Sequence, residues 1–245
     1  METPQVDLQK AETPQTEHQT AAEENQAKGK LPQAQSKRKS VAREYIEAVI
    51  IAVLLAAFIR TFIVQAFKIP SGSMLETLQI GDHVLVNKFI YGIKMPFTSK
   101  VLIPIKEPQR GDIIVFKFPQ DPSVDYIKRV VAVGGDTIEI KNKKVFVNGE
   151  LQNNNHAQFT DPEIRPAIEG PRDNYGPLKV PPGNLFVMGD NRDNSFDSRF
   201  WGFVGLDAVR GKAFILYWSW DVRDSLFSID RFTSIRWSRI GHLVE

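Results

Sequence analysis

Apolar residues are concentrated in one long run near the start of the chain and recur afterwards in short segments. Residues 48–59 are apolar without interruption, Arg60 and Thr61 break the run, and apolar residues resume up to Phe67. The uninterrupted part is shorter than the roughly 20 residues that span a bilayer core. The run reaches that length only when it is counted through to Phe67, with Arg60 and Gln65 inside it. The pattern predicts a single helix within residues 44–67.

Three interpretations of this segment compete. A cleaved signal peptide fits its apolar length, but the leader before it is long and no clear small-residue cleavage site follows. A buried helix of a soluble domain is the second interpretation. A single membrane anchor is favoured, because residues 28–43 carry basic side chains and no acidic one, which by the positive-inside rule places the N-terminus in the cytoplasm. Everything after the anchor would then be extracytoplasmic, against the membrane.

Beyond the anchor, the pattern predicts strands. Segments rich in β-branched and aromatic residues, bounded by Gly, Pro and Asp, lie at residues 84–89, 112–118, 126–133, 185–188 and 212–218. Residues 137–140 and 144–147 alternate at period two on either side of a Lys-Asn-Lys sequence, which predicts a hairpin, with Asn148 and Gly149 as the next turn. Closely spaced strands without helical patterns between them favour an all-β domain over residues 68–245. Two polar, Pro-rich stretches, at about 92–110 and 150–183, are predicted to be loops or insertions.

Composition adds little except at the N-terminus. Residues 1–35 contain no aromatic residue and are rich in polar ones, so they are predicted to be disordered, within a cytoplasmic tail over residues 1–43. The formal net charge of +2 says little about partners, and no nucleic-acid partner is predicted. The chain has no cysteine, which excludes disulfides and thiolate metal sites and permits an extracytoplasmic location.

The first candidate for chemistry is Ser73, in the sequence Ile-Pro-Ser-Gly-Ser-Met at residues 69–74. Taken alone, a Ser-Gly-Ser sequence is typical of an ordinary turn. Its position directly after the anchor, and before another predicted strand, makes the Ser73 hydroxyl a stronger candidate than the turn alone would be.

The second candidate is Lys128, a lysine inside an apolar segment in which Tyr126 and Lys128 share one face of the predicted strand. The ordinary explanation is an edge-strand lysine that keeps the sheet from pairing with neighbours. The catalytic explanation is a desolvated lysine whose pKa is lowered from about 10.4, so that it can act as a general base near neutral pH.

Two further segments are polar. Residues 188–199, Met-Gly-Asp-Asn-Arg-Asp-Asn-Ser-Phe-Asp-Ser-Arg, have the polar density of a calcium loop that would start at Asp190. The Gly and Glu that such a loop requires are replaced by Ser195 and Trp201, so calcium is not expected, and no cofactor is predicted. The sequence Arg-Gly-Asp at residues 110–112, which leads into a strand, is by itself a surface turn.

In order along the chain, these four segments resemble the motifs of bacterial type I signal peptidase, or leader peptidase. The resemblance covers roughly residues 43–211, and the last motif is the specific one. It implies a mostly antiparallel β catalytic domain built on coiled sheets, behind one N-terminal transmembrane helix. It also implies a membrane-bound serine endopeptidase that removes N-terminal signal peptides from exported preproteins, bound as an extended strand, and cuts after small residues at the −3 and −1 positions.

The resemblance also implies roles for individual residues. Ser73 would be the nucleophile and Lys128 the general base. The side-chain hydroxyl of Ser71 would contribute to the oxyanion hole, beside the backbone N–H of Ser73. Ser195 of the last motif would orient the lysine amine. Asp197 and Arg199 of the same motif would form a supporting pair near the site.

This chain departs from the family pattern in two places. Glu76 and Gly134 stand where many relatives have proline. Neither position carries the chemistry, so the departures concern local turn geometry.

Other interpretations of the serine and the lysine remain open. His83 is the one histidine close enough in sequence to serve as an alternative base for Ser73, although a structural role is favoured for it. A self-cleaving repressor has a similar Ser-Met and strand-lysine pattern, but such proteins carry a DNA-binding domain where this chain has an anchor. A membrane-tethered domain that only binds peptides is the non-enzymatic alternative.

A lipid contact is a further expectation. Phe67 and the loop at residues 95–97, which ends in Phe97, could enter the lipid interface beside the site, or could simply pack in the core.

Overall fold

The structure is a computed structural model that describes residues 40–94, 101–221 and 234–244. Its first element is the helix α1 (Val41–Phe58), which continues into a π-helical turn over Ile59–Ile63. The stretch Val41–Ile63 is 23 residues long, and the 18-residue apolar window within it has a mean hydropathy of 2.4 and is not buried. By length and composition this helix is able to cross a membrane.

The predicted anchor and the observed helix differ at their ends. The helix begins at Val41 and ends at Ile63, whereas the sequence predicted residues 44–67. Residues 64–67 lie instead in a strand that pairs antiparallel with residues 83–87. Phe67 of that strand is half-buried against the core, which supports the packing role expected as one of two alternatives for it. Phe97 lies outside the described residues.

The described strands, in chain order, alternate with short turns. They are β1 (Val64–Lys68), β2 (Asp82–Asn87), β3 (Gly92–Lys94), β4 (Val101–Pro104), β5 (Ile113–Phe118), β6 (Asp121–Val133), β7 (Thr137–Lys141), β8 (Lys144–Val147), β9 (Glu150–Leu151), β10 (Tyr175–Lys179), β11 (Asn184–Met188), β12 (Val204–Gly205) and β13 (Val209–Ser219). A second helix, the short α2 (Ser198–Trp201), follows β11. Every strand that the sequence predicted is present, so the mainly β, antiparallel fold is confirmed.

The largest sheet has the strand order β1-β2-β13-β5-β6-β11-β12, with antiparallel pairing throughout. β6 lies in its interior, between β5 and β11. Its pairing with β11 runs from Arg129 to Val133, and its pairing with β5 runs from Asp121 to Arg129. The side of residues 124–128 that faces away from β5 is therefore not paired with another described strand. This half-free stretch of β6 becomes important at the candidate site.

A smaller sheet has the order β10-β7-β8-β9. Its β7–β8 hairpin is the one predicted from the alternating pattern, and its last cross-strand pair joins Lys141 to Lys144. The turn therefore consists of two residues, Asn142 and Lys143. β10 lies in the stretch predicted to be a loop or insertion, and so the smaller sheet is partly built from that insertion.

The strands that the sequence did not predict are short or interrupted. β10 contains Pro177, which has no N–H to donate, and it accordingly forms an edge of the smaller sheet. β3 and β4 form a separate two-stranded sheet in the other predicted insertion. β9 and β12 have two residues each, too few for an alternating pattern to be recognised.

The buried apolar residues join the two larger sheets. One cluster combines residues from the faces of β7 and β8, such as Ile138 and Val147, with Ala132 of β6 and Phe186 of β11. All four side chains are fully buried. Apolar burial of this kind contributes roughly 25 cal/mol per Å² and fixes the smaller sheet against the β6–β11 end of the larger one.

The two departures from the family pattern lie in tight or exposed turns. A Cβ at Gly134 would lie 3.1 Å from the carbonyl oxygen of Pro181, so glycine permits a close approach of two backbone segments there. Glu76 is exposed in the turn that follows Ser73.

Candidate active site

Ser73 lies in a 3-10 turn over Gly72–Met74, in the connection between β1 and β2. Two apolar side chains beside it, Met74 and Leu78, are fully buried and hold the turn against the core. Ser71, directly before the turn, is extended and exposed. The Pro/Gly-rich sequence thus forms a fixed turn that presents the hydroxyl of Ser73.

Lys128 extends from β6 to this turn. Its Nζ donates a hydrogen bond to Oγ of Ser73 at 2.6 Å, although 55 residues separate the two in sequence. The side chain is buried, with 4% of the residue exposed, and Nζ lies 5.4 Å from the ring centroid of Tyr126 on the same strand face. The edge-strand explanation does not account for this lysine: β6 is paired on one side only at Lys128, but the amine is buried against Ser73 instead of extending into water.

The environment of Lys128 favours its neutral form. Burial lowers the pKa of the amine to about 8, because the charged form loses the hydration that it has in water. The carboxylates of Asp197 and Asp190 oppose this effect, and the guanidinium of Arg199 adds to it. A lysine in this position is therefore substantially neutral at mildly alkaline pH, as a general base must be.

The loop after β11, residues 189–197, is called the polar loop below and is attached to the Ser73 turn. The backbone N–H of Asn191 donates to the carbonyl oxygen of Ser73 at 3.1 Å, and its Nδ2 donates to the carbonyl oxygen of Gly72 at 3.1 Å. Gly189 allows this approach, because a Cβ at that position would overlap both the Ser73 carbonyl oxygen and Oγ of Ser195. The polar loop thus sets the position of the turn that carries Ser73.

A buried ion pair braces the opposite face of β6. Arg129 donates to both carboxylate oxygens of Asp190 at 2.8 Å and to the carbonyl oxygen of Gly111 at 2.9 Å. The hydroxyl of Thr77 also donates to Asp190, at 2.7 Å. This role for Arg129 and Asp190 was not predicted from the sequence. Residues 110–112 were expected to be a surface turn, but the carbonyl oxygen of Gly111 accepts a hydrogen bond from Arg129.

A second buried pair closes the polar loop. Arg199 donates to both oxygens of Asp197, at 2.9 and 2.8 Å, and to the carbonyl oxygens of Arg172 and Arg192. Asp197 in turn accepts the backbone N–H of Gly189 at 3.0 Å. The pair that was expected from Asp197 and Arg199 is therefore formed.

Ser195 is close to the site but is not bonded to the lysine. Its Oγ is buried and has no hydrogen-bond partner among the described residues. The hydrogen bond expected from Ser195 to the amine of Lys128 is therefore not formed in this structure, where that amine donates to Ser73 instead.

A cleft of about 470 Å³ opens over Ser73 and Lys128. Ser71 lies in it together with Ser73, so the two hydroxyl groups share one cavity. The remaining lining comes from the turn, from the half-free stretch of β6 and from the polar loop: Pro70, Gly72, Val124, Asp125, Tyr126, Ile127, Asn191, Asn194 and Phe196. An extended chain could therefore lie between the turn and β6.

The histidine alternative finds no support at this cleft. His83 lies in β2, where its Nδ1 is 3.1 Å from the carbonyl oxygen of Gly81 and its ring contacts Tyr217 and Trp220. It does not line the cleft of Ser73.

Within residues 40–94, 101–221 and 234–244, no cluster of three or more potential ligand side chains is arranged to hold a metal ion.

Comparison with known proteins identifies the family. Residues 42–218 match the family described as signal peptidase, peptidase S26. The chain belongs to the signal peptidase family. The resemblance inferred from four short motifs is thereby confirmed, and the protein is a serine peptidase whose apolar helix accords with membrane association.

Three relatives, each named signal peptidase I, show how far the similarity extends. One from Pseudomonas fluorescens is 39% identical over 206 residues, covering 72% of this chain and 72% of its own. One from Pseudomonas aeruginosa is 38% identical over 207 residues, with the same coverage. One from Aquifex aeolicus is 37% identical over 228 residues, covering 72% of this chain and 84% of its own.

The close approach at Gly189 predicts that Gly189→Ala lowers peptidase activity. The added methyl group would push the polar loop away from the Ser73 turn, and a displacement of about 1 Å costs on the order of 100-fold in rate. Gly202→Ala is the control, because its φ of 90° is strained but a Cβ there contacts nothing within 4 Å. Steady-state cleavage of a peptide substrate would measure both variants, and full activity of Gly189→Ala would contradict the packing argument.

The buried amine of Lys128 predicts a stability cost that depends on pH. The folded-state pKa of about 8 is below the ordinary value, so below pH 8 both states hold the proton and the full cost is present. Stability then rises with pH between about 8 and 10.4, where the unfolded chain binds more protons. Lys128→Met should therefore be more stable than the parent protein by up to about 3 kcal/mol at pH 7, with the difference shrinking toward pH 10. Denaturant unfolding in detergent at both pH values would test this, and an equal difference at the two would contradict it.

Proposed function

We propose that this protein removes signal peptides from exported preproteins, with Ser73 as the nucleophile and Lys128 as the general base. The observation that carries the proposal is the 2.6 Å contact between Nζ of Lys128 and Oγ of Ser73, at a buried amine whose pKa is lowered to about 8. The family supplies the substrate class, and the described site supplies a geometry suited to acyl transfer.

The reaction begins when the neutral amine of Lys128 takes the proton of Ser73 while Oγ attacks the scissile carbonyl carbon. The resulting ammonium gives that proton to the leaving amine as the carbon–nitrogen bond breaks, which releases the mature chain. Water, activated by the same amine, then attacks the acyl-enzyme ester, and the proton that it loses returns to Ser73. The signal peptide leaves with a free carboxylate.

The oxyanion of the tetrahedral intermediate needs two donors. The backbone N–H of Ser73 and the hydroxyl of Ser71 are proposed for this role, since both residues line the cleft. In other hydrolases, loss of one such donor costs about 10²–10³ in rate. Ser195 is proposed to orient the lysine amine once Ser73 has given up its proton, because its buried hydroxyl is without a partner among the described residues.

Substrate is proposed to bind as an added strand along residues 124–128 of β6. Residues 125–128 of this stretch pair with β5 on one side, no residue of the stretch pairs with a described strand on the other, and the stretch borders the cleft. An added strand gains backbone hydrogen bonds that do not depend on sequence, while side-chain pockets provide specificity. The cleft side chains, Tyr126 and Phe196 among them, are proposed to select small residues at the −3 and −1 positions.

The topology proposed for the chain follows from its charge pattern. Basic residues precede α1, so the N-terminus is placed in the cytoplasm and the peptidase domain on the other side of the membrane. The site then lies where the signal peptide of an exported preprotein leaves the bilayer.

Replacement of the nucleophile tests the proposal against a domain that only binds peptides. Ser73→Ala should abolish cleavage of a synthetic peptide with Ala at the −3 and −1 positions, while binding of that peptide is retained. Ser123→Ala, an exposed serine at the start of β6, is the matched control and should cleave normally. A peptide bound but left intact by the parent protein would instead support the binding domain.

The pH dependence tests the role of Lys128. Because the neutral amine is the base, kcat/KM should rise with pH through a midpoint near 8, and on the order of one tenth of the limiting rate should remain at pH 7. Lys128→Arg should be inactive at every pH, because a guanidinium stays protonated. A flat profile between pH 6 and 9 would contradict lysine as the base.

A further inference from the structure

The turn between β7 and β8 carries a lysine where glycine is favoured. Asn142 and Lys143 form this two-residue turn, with φ values of 48° and 68°. Hairpin turns with positive φ at both positions favour Asn followed by Gly, because any Cβ is crowded in this conformation. The chain accepts a backbone cost at Lys143, so the side chain is the place to look for a compensating role.

The side chain of Lys143 is turned into the protein rather than into water. It is 11% exposed, and its Nζ donates to the carbonyl oxygen of Asp161 at 2.6 Å and to Oδ1 of Asp193 at 2.9 Å. Nζ also lies 3.9 Å from Oδ2 of Asp173 and 5.6 Å from the ring centroid of Phe159. The smaller sheet thus reaches the polar loop through one ammonium group.

Asp193 depends on this ammonium group for its charge balance. Its carboxylate side chain is 2% exposed and accepts the backbone N–H of Asp161 at 2.9 Å. Nε of Arg172 is 3.9 Å away, but that guanidinium donates to Asp173 and Asp161 at shorter distances. Among the described residues, Lys143 is the cation that Asp193 contacts within hydrogen-bonding distance, and a buried carboxylate that loses its partner is strongly destabilised.

Asp193 lies in the 3-10 turn Arg192–Asn194, directly beside residues of the candidate active site. Asn191, at the start of that turn, makes the two hydrogen bonds that hold the Ser73 turn. Asn194, at its end, lines the cleft. Displacement of Asp193 would therefore be transmitted along the chain to Asn191, and through the hydrogen bonds of Asn191 to the Ser73 turn.

We propose that Lys143 is a positioning residue for the peptidase reaction, which acts through Asp193 to hold the 3-10 turn at residues 192–194 against the turn that carries Ser73. The proposal rests on the proposed function, and it assigns a task to the smaller sheet. Through Lys143 and Asp193, that sheet contacts the same 3-10 turn whose Asn194 lines the substrate cleft.

Loss of the support has a specific consequence for Lys128. The charged groups that influence its amine are Asp197, Asp190 and Arg199, all of them on the polar loop or just beyond it. A loosened loop admits water to the amine, which weakens the desolvation that favours the neutral form. The catalytic midpoint should then move to more alkaline pH, an effect that a general loss of stability would not produce.

The test uses the full-length protein in detergent and a peptide with Ala at the −3 and −1 positions. Lys143→Gly removes the ammonium and relieves the backbone strain, so the hairpin itself should form at least as well as before. Lys143→Met removes the charge but keeps most of the side chain beside Phe159. Asn142→Gly is the matched control, since Asn142 is exposed and has positive φ in the same turn.

We expect both Lys143 variants to lose on the order of tenfold in kcat at pH 8 with KM changed less than about threefold, and to show a midpoint shifted to higher pH. Asn142→Gly should match the parent in all three quantities. Two outcomes would overturn the proposal: unchanged kinetics in the Lys143 variants, or a loss of activity that parallels loss of folded protein with the midpoint unmoved.

Failure of this inference can be distinguished from failure of the proposed function. If the parent protein does not cleave the peptide, or if Ser73→Ala still does, the proposed function is wrong and the role of Lys143 falls with it. If the parent cleaves, Ser73→Ala is inactive and Lys143→Gly behaves as the parent does, only the positioning role is wrong.

Discussion

The arrangement of the site depends on one constraint: the amine of Lys128 is removed from water and held 2.6 Å from the hydroxyl of Ser73. A lysine in water is almost fully charged at neutral pH and cannot accept a proton. Burial lowers its pKa to about 8, which makes it a usable base but costs folding free energy below that pH. The protein is therefore less stable than it could be at the place where its chemistry requires it.

Residues around β6 and the polar loop exclude water from the amine of Lys128 and hold the hydroxyl of Ser73 in position. The Arg129–Asp190 pair fixes β6 from its other face, and the Asp197–Arg199 pair closes the polar loop around Gly189. The carboxylates of Asp190 and Asp197 oppose the effect of burial on the pKa of Lys128. They hold the strand and the loop in position, but they raise the pKa that burial lowers. Removal of one partner from such a pair leaves a buried charge, which typically costs 3–5 kcal/mol.

Much of the fold and of the candidate site could be predicted from the sequence, because strands with alternating or β-branched residues have a recognisable local pattern. The β7–β8 hairpin, β5 and β6 are examples, and the four ordered motifs sufficed to indicate the family. The boundary of the apolar helix could not be predicted, since residues 64–67 are as apolar as a helix end and are made into β1 only by pairing with β2. Arg129, Asp190 and Lys143 were missed for a related reason. Their roles arise from partners far away in sequence, and no local pattern records those contacts.

The most direct test of the account is the titration of Lys128 itself. Protein labelled with ¹⁵N at the lysine side chains, in detergent micelles, would be followed by NMR across pH 6 to 11, with the Lys128 signal assigned by its loss in Lys128→Met. A midpoint near 8 is expected for this one amine, since burial disfavours its charged form. A midpoint near the ordinary 10.4 would contradict it, because the lysine would then remain protonated beside Ser73 at the pH where it is required to act as a base.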